Sequence, residues 1–313
     1  MTVITVHPYH PGDINEWNNW VATSRNGTFL HDRRFMDYHA DRFHDASVMV
    51  RRDGKLIAVL PANIAGDTII SHGGLTYGGL ITGPEMRTAM CIEVFVALLD
   101  HARARGARRL TYKPTPHIYH TQPTEEDLYA LYRCEARLVR CDASASIPLA
   151  RRLKMSKSRQ QAVRTATKAG VEVRESNDWV AFWSVLAEVL RHRHGARPTH
   201  SLEEIVLLAG RFPDRIRLFG AFDGARMIAG VVTFDCGRTI HVQYIAASSA
   251  GREAGGVDII VFHLIEKIFA DRGWFDFGIS TTDHGHSLNE GLAQQKEMFG
   301  ARCIVYQEFE VLL

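Results

Sequence analysis

What this chain lacks limits it first. Its five cysteines (Cys91, Cys134, Cys141, Cys236, Cys303) are odd in number, widely spaced and without a CxxC pair, which points to reduced thiols rather than a disulfide frame or a zinc site. No run of about 18 apolar residues occurs, and no N-terminal stretch joins basic residues to an apolar run and a cleavage site, so neither a membrane span nor secretion is expected. The expected location is the cytoplasm. Charge of one sign is also missing overall, with 37 Lys and Arg facing 35 Asp and Glu for a net +2. That balance argues against duplex DNA as a partner, because such domains carry a strongly basic face. At 46% hydrophobic and 9% aromatic, the 313 residues have the composition of an ordinary globular protein, and the length suits two domains better than one. Oligomeric state is not legible.

The neutral total hides a local excess. Residues 1–150 hold 16 basic and 16 acidic side chains and residues 175–313 hold 13 and 18, whereas residues 151–174 hold eight basic ones against Glu172 alone. The eight are Arg151, Arg152, Lys154, Lys157, Arg159, Arg164, Lys168 and Arg174. Such a segment is either a solvated helix face beside a linker or a phosphate-binding surface.

A repeat organises the rest. SVMVRRDGKLIAVL (47–60) reads as two strands joined at Asp53-Gly54, and RLFGAFDGARMIAGVVTF (217–234) repeats the design at Asp223-Gly224. Each hairpin is followed by a third strand candidate, TIISHGGLTYGGL (68–80) and TIHVQYIAAS (239–248). Next comes an amphipathic helix, with Val94, Phe95, Leu98 and Leu99 on one apolar face and Ile260, Leu264 and Ile268 on the other, then Gly106 or Gly273, then the strand RRLTYK (108–113) or WFDFGI (274–279). Further helices are expected around Ile14–Ser24, Arg33–Phe43, Ser156–Ala169 and Asp178–His192. The fold class is therefore α/β (α+β): two tandem lobes, 1–150 and 151–313, each a mixed sheet flanked by helices, with a substrate cleft expected between them.

This order is also the core order of the GNAT acyltransferase fold, and its tandem copy resembles the FemAB-type branch of that superfamily. SKSRQQAVRTATKAGVEV (156–173) resembles the Arg/Lys-rich helix that opens the second lobe in that branch, NEGLAQQKEMFGA (289–301) resembles its C-terminal motif, and GLTYGG (74–79) a Gly-rich stretch of its first lobe. The resemblance implies GNAT-like lobes and transfer of an acyl or aminoacyl group to an amine of a small acceptor, a cell-envelope sugar or nucleotide-sugar precursor. Two alternatives stand beside it: an aminoacyl-tRNA-dependent enzyme acting on a peptide or peptidoglycan precursor, and a binding module that has lost catalysis.

The donor is read from the loop before the second helix. CoA-dependent relatives hold the pyrophosphate with Arg/Gln-x-x-Gly-x-Gly/Ala, and this chain has Arg252-Glu253-Ala254-Gly255-Gly256-Val257 there. Arg252, Gly255 and Gly256 are the candidate CoA contacts; Val257 and Glu253 depart from the pattern, and TGPEMRT (82–88) lacks it. Acyl-CoA is thus a candidate co-substrate, no tightly bound cofactor is expected, and residues 151–174 are the candidate contact for tRNA or a nucleotide-linked sugar.

Lys296 heads the catalytic candidates, because the resemblance places a Lys near the reacting carbonyl or a substrate phosphate, where a fixed cation stabilises developing charge. The rival reading is a solvent-facing helical Lys. RHRHGARPTH (191–200) offers His194 or His200 as base or donor to substrate, against surface or capping histidines; no Cys or carboxylate stands at a familiar ligand spacing, so no metal is expected. Tyr244 is a candidate proton donor to the leaving group and Gln243 a substrate contact, or both belong to a half-buried strand. In STTDHGHSLN, Asp283 is a candidate catalytic group and Ser280, His284 and Asn289 are candidate substrate contacts, since loops after parallel strands bind ligands in α/β proteins. Tyr77, Lys113, His117 and Tyr119 of the first lobe are candidate acceptor contacts, the last three in a Pro-rich loop that is rigid for structural reasons alone or for binding.

Overall fold

The computed structural model describes residues 3–194 and 198–313, without the side chains of 191–194. Asp53 (φ 50°) and Gly54 (φ 81°) take the left-handed conformation that a two-residue hairpin turn needs, and Val48–Arg52 returns as Lys55–Leu60 with Arg52 opposite Lys55. The second hairpin, Ile216–Asp223 with Arg226–Asp235, turns at Gly224 (φ 57°).

The chain divides into two units, Met1–Ala143 with Thr281–Ser287 and Val305–Leu313, and Ser144–Ser280 with Leu288–Ile304. This differs from the expected division at 150/151 in returning two C-terminal pieces to the first unit. Strand pairing is the reason: Phe309 to Leu312 pair antiparallel with Tyr112 to Arg109. Sequence order cannot show such a return.

In the first unit the hairpin lies between Ile4–Pro8 and Ile81–Thr82. Thr68–Ile70 runs parallel to Arg109–Tyr112, with Thr88–Ala104 as the crossover helix. Phe95, Leu98 and Leu99 of that helix share a core with Val50, Ile57 and Leu110. The third strand expected over 68–80 is broken: it pairs parallel at 68–70, leaves as the Gly-rich loop 71–79, and resumes at Ile81–Thr82 beside the hairpin. The helix expected over 33–43 is only Arg33–Met36 followed by a 3-10 turn. Arg33 is drawn inside by Asp37, Asp45 and the Tyr9 ring 4.0 Å from its guanidinium.

In the second unit Glu172–Ser176, Ile216–Asp223, Arg226–Asp235 and Thr239–Ala247 are successive antiparallel neighbours. Trp274–Ile279 then runs parallel to Thr239–Ala247 after the helix Gly256–His263, and its other side pairs antiparallel with residues 144–148. Ile228, Val231, Ile240, Val242, Ile260, Leu264 and Phe275 form the core. The basic helix is Lys157–Lys168; it buries Val163 and Ala166 and leaves Lys157, Arg164 and Lys168 exposed. No helix of the described residues is long and apolar enough to cross a membrane.

Four imidazoles are buried among the described residues of the first unit, His31, His39, His72 and His120, and burial lowers the pKa of each. Burial pushes His31 and His120 down to about 4 and His72 down to about 3. Below pH 6.5 the unfolded chain takes up protons that these folded groups refuse, so stability is lost as pH falls from about 6.5 toward 4, by about 3 kcal/mol for a fully buried group such as His31. The urea midpoint should therefore drop steeply over that window, and His120→Gln should flatten the slope by about one proton. A midpoint unchanged down to pH 4 would contradict the assignment.

Candidate active site

Thr239–Ala247 and Trp274–Ile279 pair over only three residues, Thr239 to His241 with Trp274 to Asp276. Beyond them both strands bend. Gln243 is the extra residue of a bulge against Val232 and Thr233, and Gly278 (φ 75°) lies where the register with 144–146 shifts. A cavity of about 520 Å³ opens where the strands part, walled by Ile245, Ala246 and Ala247 on one side and Phe277 on the other. Its remaining walls are Arg252, Val257 and Asp258 after the first strand, Arg159 of the basic helix, and Leu292, Lys296 and Phe299 near the C-terminus.

Lys296 lies on the helix Glu290–Glu297, which Asn289 caps through its Oδ1 to the Leu292 N–H (3.0 Å). The Lys296 ammonium donates to the carbonyls of Gly278 (2.9 Å) and Ile279 (2.6 Å), just past the last rung shared with Thr239–Ala247. Burial pushes the ammonium down to about 8, with Asp276 pulling the other way. Ser280 follows, 2% exposed, its hydroxyl without a hydrogen-bond partner among the described residues.

Arg159 is the one cation of the basic segment that lines this cavity. It donates to Asp258 Oδ1 (2.9 Å) and lies 4.5 Å over the Phe299 ring. Asp258 stands in the first turn of Gly256–His263, where a carboxylate meets the positive helix end. The loop before it is self-satisfied. Gly251 N–H bonds Ser248 Oγ, Ala254 N–H bonds Ala250 O and Gly255 N–H bonds Arg252 O. The Arg252 guanidinium folds back on Ala247 O and Ser249 Oγ, both at 2.9 Å. Gly255 (φ 72°) passes so close to the basic helix that a Cβ would stand 2.9 Å from Ala162 O.

The last rung before the strands part is His241 and Asp276. His241 Nδ1 lies 2.7 Å from Asp276 Oδ2, and the other carboxylate oxygen accepts from Ser144 (2.8 Å) and Ser146 (2.6 Å). Burial pushes the Asp276 carboxyl up, but the bonds and charge of His241 and the two serine bonds outweigh it, leaving the group well below the usual carboxylate range.

The other expected residues fall in several places. His200 and Tyr244 come together, with Nδ1 2.6 Å from the phenol and the His200 N–H donating to it at 3.0 Å; both are buried, and the Tyr244 ring packs against Trp183. Burial raises the Tyr244 phenol above its ordinary value. The His194 side chain lies outside the described residues. Asp283 and His284 are exposed on consecutive left-handed residues (φ 49° and 52°) in the piece 281–287 that clusters with the first unit. In the first unit Tyr77 and Tyr119 are interior, ring centroids 4.5 Å apart, with the Tyr119 hydroxyl 2.8 Å from that of Tyr306. Lys113 donates to Leu75 O (2.7 Å) and burial pushes it down to about 8, while His117 is exposed.

Sequence reasoning missed His241, Asp276 and Asp258, and named Arg159 only as one of the eight cations of 151–174. One signal was present: Asp276 is the sole charged residue of WFDFGI, an apolar strand in which a buried carboxylate needs partners. Among the described residues no cluster of three or more His, Cys, Asp or Glu is placed to hold a metal ion.

Residues 150–285 match the family model of the acetyltransferase (GNAT) domain. No curated protein matches the sequence. In fold the chain is similar to FemX, with a TM-score of 0.70 at 13% identity over 98% of this chain and 97% of that one. It is also similar to the C-terminal domain of a protein from Agrobacterium fabrum assigned as a lysylphosphatidylglycerol synthetase, with a TM-score of 0.56 at 11% identity over 81% of both chains. A tandem GNAT protein of the clavulanic acid biosynthesis pathway gives 0.53 at 9% identity over 100% and 98%. At such identities the likeness concerns the fold. A GNAT acetyltransferase domain model thus matches residues 150–285, and the chain shares its fold with FemX and with a tandem GNAT protein.

Proposed function

We propose that this protein transfers an acyl or aminoacyl group to an amine of a small acceptor, a cell-envelope sugar or nucleotide-sugar precursor. The observation that carries the reading is Lys296, whose ammonium is fixed by two carbonyls at the wall of an apolar-sided cavity. A lysine ammonium has three N–H groups, and two hold the backbone here. The third can meet the oxygen of an acyl carbonyl as the amine attacks it. Removing one such donor costs about 100- to 1,000-fold in kcat. The envelope acceptor has weaker support: one protein of similar fold bears a name that describes an aminoacyl group joined to a membrane lipid.

For the donor, the Arg252 guanidinium is folded back on Ala247 and Ser249 and the Asp258 carboxylate stands in the first turn of Gly256–His263, which disfavours a pyrophosphate there and favours an aminoacyl ester such as aminoacyl-tRNA. Exposed Arg151, Lys154, Lys157, Arg164 and Lys168 supply cations for its phosphates. Acyl-CoA is the second reading, favoured by the match of 150–285 to an acetyltransferase domain.

Lys296→Met should lower kcat by about 100-fold or more and, because it takes the donor from the carbonyls of Gly278 and Ile279, should also lower the unfolding midpoint. Because the ammonium titrates near 8, the rate should fall above that pH in the wild type, and Lys296→Arg, which stays charged, should lose this alkaline limb. An alkaline limb retained in Lys296→Arg would remove the lysine from the chemistry.

Calorimetry with acetyl-CoA and a salt titration of alanyl-tRNA binding separate the donors. Five phosphate contacts predict a slope of log K on log salt of about −3.5 to −4.5. Heat with acetyl-CoA and no binding of tRNA would establish the second reading. Ligand binding without turnover of either donor would identify a binding module.

A further inference from the structure

Two of the large apolar side chains that the fold leaves uncovered, Ile245 (39% exposed) and Leu292 (36%), line the same cavity of the second unit. Single apolar residues scattered over a surface need no explanation. Here one comes from the strand Thr239–Ala247 and the other from the helix Glu290–Glu297, and both line one concavity. Phe277 and Phe299 stack at its wall with ring centroids 5.5 Å apart, and Val257 and Met298 add to the lining. A concave apolar surface of this kind is what an apolar ligand group needs.

The cations at the wall are already engaged. Arg159 donates to Asp258 Oδ1 and to Gln295 O, and Arg252 to Ala247 O and Ser249 Oγ. Lys296 donates to two carbonyls, which leaves its third N–H for the oxygen of an acyl group. Volume then decides the size of that group. The methyl of an acetyl or alanyl group would take up a small part of about 520 Å³ and leave Ile245, Leu292 and both phenylalanine rings facing water. Water against such walls is poorly held, since it needs two to four polar partners. A longer apolar chain displaces it, and each buried methylene strengthens binding by about fourfold.

We infer that the transferred group is an acyl group with an apolar chain of about leucyl or hexanoyl size, its carbonyl oxygen at Lys296 and its chain among Ile245, Phe277, Leu292 and Phe299. In the transfer the amine nitrogen replaces the ester oxygen or thioester sulfur on the carbonyl carbon, and its proton ends on the departing atom. An aminoacyl ester and an acyl thioester can both bring such a chain, so the chain is the shared chemistry and the experiment distinguishes the carriers. Ile245 and Leu292 are specificity-determining side chains that touch the chain and not the reacting atoms. This inference rests on the transferase reading above, but its test can fail separately.

The test compares donors that differ only in the chain: acetyl-CoA against hexanoyl-CoA, and one tRNA charged with alanine against the same tRNA charged with leucine. Glucosamine is the acceptor, and the readout is release of CoA thiol or of uncharged tRNA. The longer member of the accepted pair should be favoured in kcat/KM by about 50-fold or more. The pair that turns over identifies the carrier. Leu292→Trp, which fills the cavity from an exposed position, should shrink that ratio by about tenfold or more, and so should Ile245→Ser, which removes apolar wall. Should one variant fail to fold, the other decides. An acetyl or alanyl donor used as well as the longer one, or a ratio that neither variant moves, overturns the apolar chain while leaving the transferase intact. No turnover by the wild type with any of these donors overturns the transferase reading and the chain with it.

Discussion

Two parallel strands that pair for three residues and then part set the rest of the second unit. A backbone that leaves a sheet must find new partners for its polar groups, and the carbonyls of Gly278 and Ile279 find theirs in Lys296. That draws the helix Glu290–Glu297 to the gap and brings Phe299 with it, where its ring receives the Arg159 guanidinium. The lysine is partly buried because of the backbone it serves, and burial lowers its proton affinity. Cavity, cation and shifted proton equilibrium all trace to one short ladder.

The same ladder sorts the buried carboxylates. Asp276 stands on its last rung and is reached by donors from both neighbouring strands, so its charge is kept despite full burial. Asp258 stands past the first strand at a helix start and takes Arg159 out of the basic segment. Each is an ion whose burial would cost several kcal/mol unpaired. Their partners therefore belong to the fold as much as to any chemistry.

Much of this architecture was legible and some was not, for physical reasons. Hairpin turns and helix faces depend on local chemistry, so Asp53-Gly54, the crossover helices and the basic helix Lys157–Lys168 could be read from residue order alone. Pairing between strands distant in sequence leaves no local mark, which hid the return of the C-terminal strand and the meeting of His241 with Asp276. Burial is also a tertiary property. Tyr77 and Tyr119 carry polar tips that invite a binding role, yet they pack in the interior, and Arg33 looks like a surface helix residue until Asp37, Asp45 and Tyr9 enclose it. Among eight cations in 151–174, nothing in the sequence marks Arg159 as the one that turns inward.

The repeat clarifies why one copy of the ladder carries a site. In the first unit Thr68–Ile70 also pairs parallel with three residues, Arg109 to Thr111, and there too the strands should part. Its own chain bridges them instead. Ser71 N–H bonds Thr111 O, Lys113 N–H bonds Ser71 Oγ, and Gly78 N–H bonds Lys113 O, so the Gly-rich loop takes up the backbone groups that the second unit leaves to Lys296. The Tyr112 hydroxyl, bonded to Leu80 N–H and to the buried Asp127, secures the same place from below. A loop of 71–79 can lie this close because glycine at 78 carries no Cβ, which would stand 2.0 Å from Ser71 O. The duplicated element thus has two fates: where glycines allow the chain to fold back, the gap is filled by backbone, and where the strand after the rung carries a bulge and Lys296 reaches in from the helix Glu290–Glu297, it stays open.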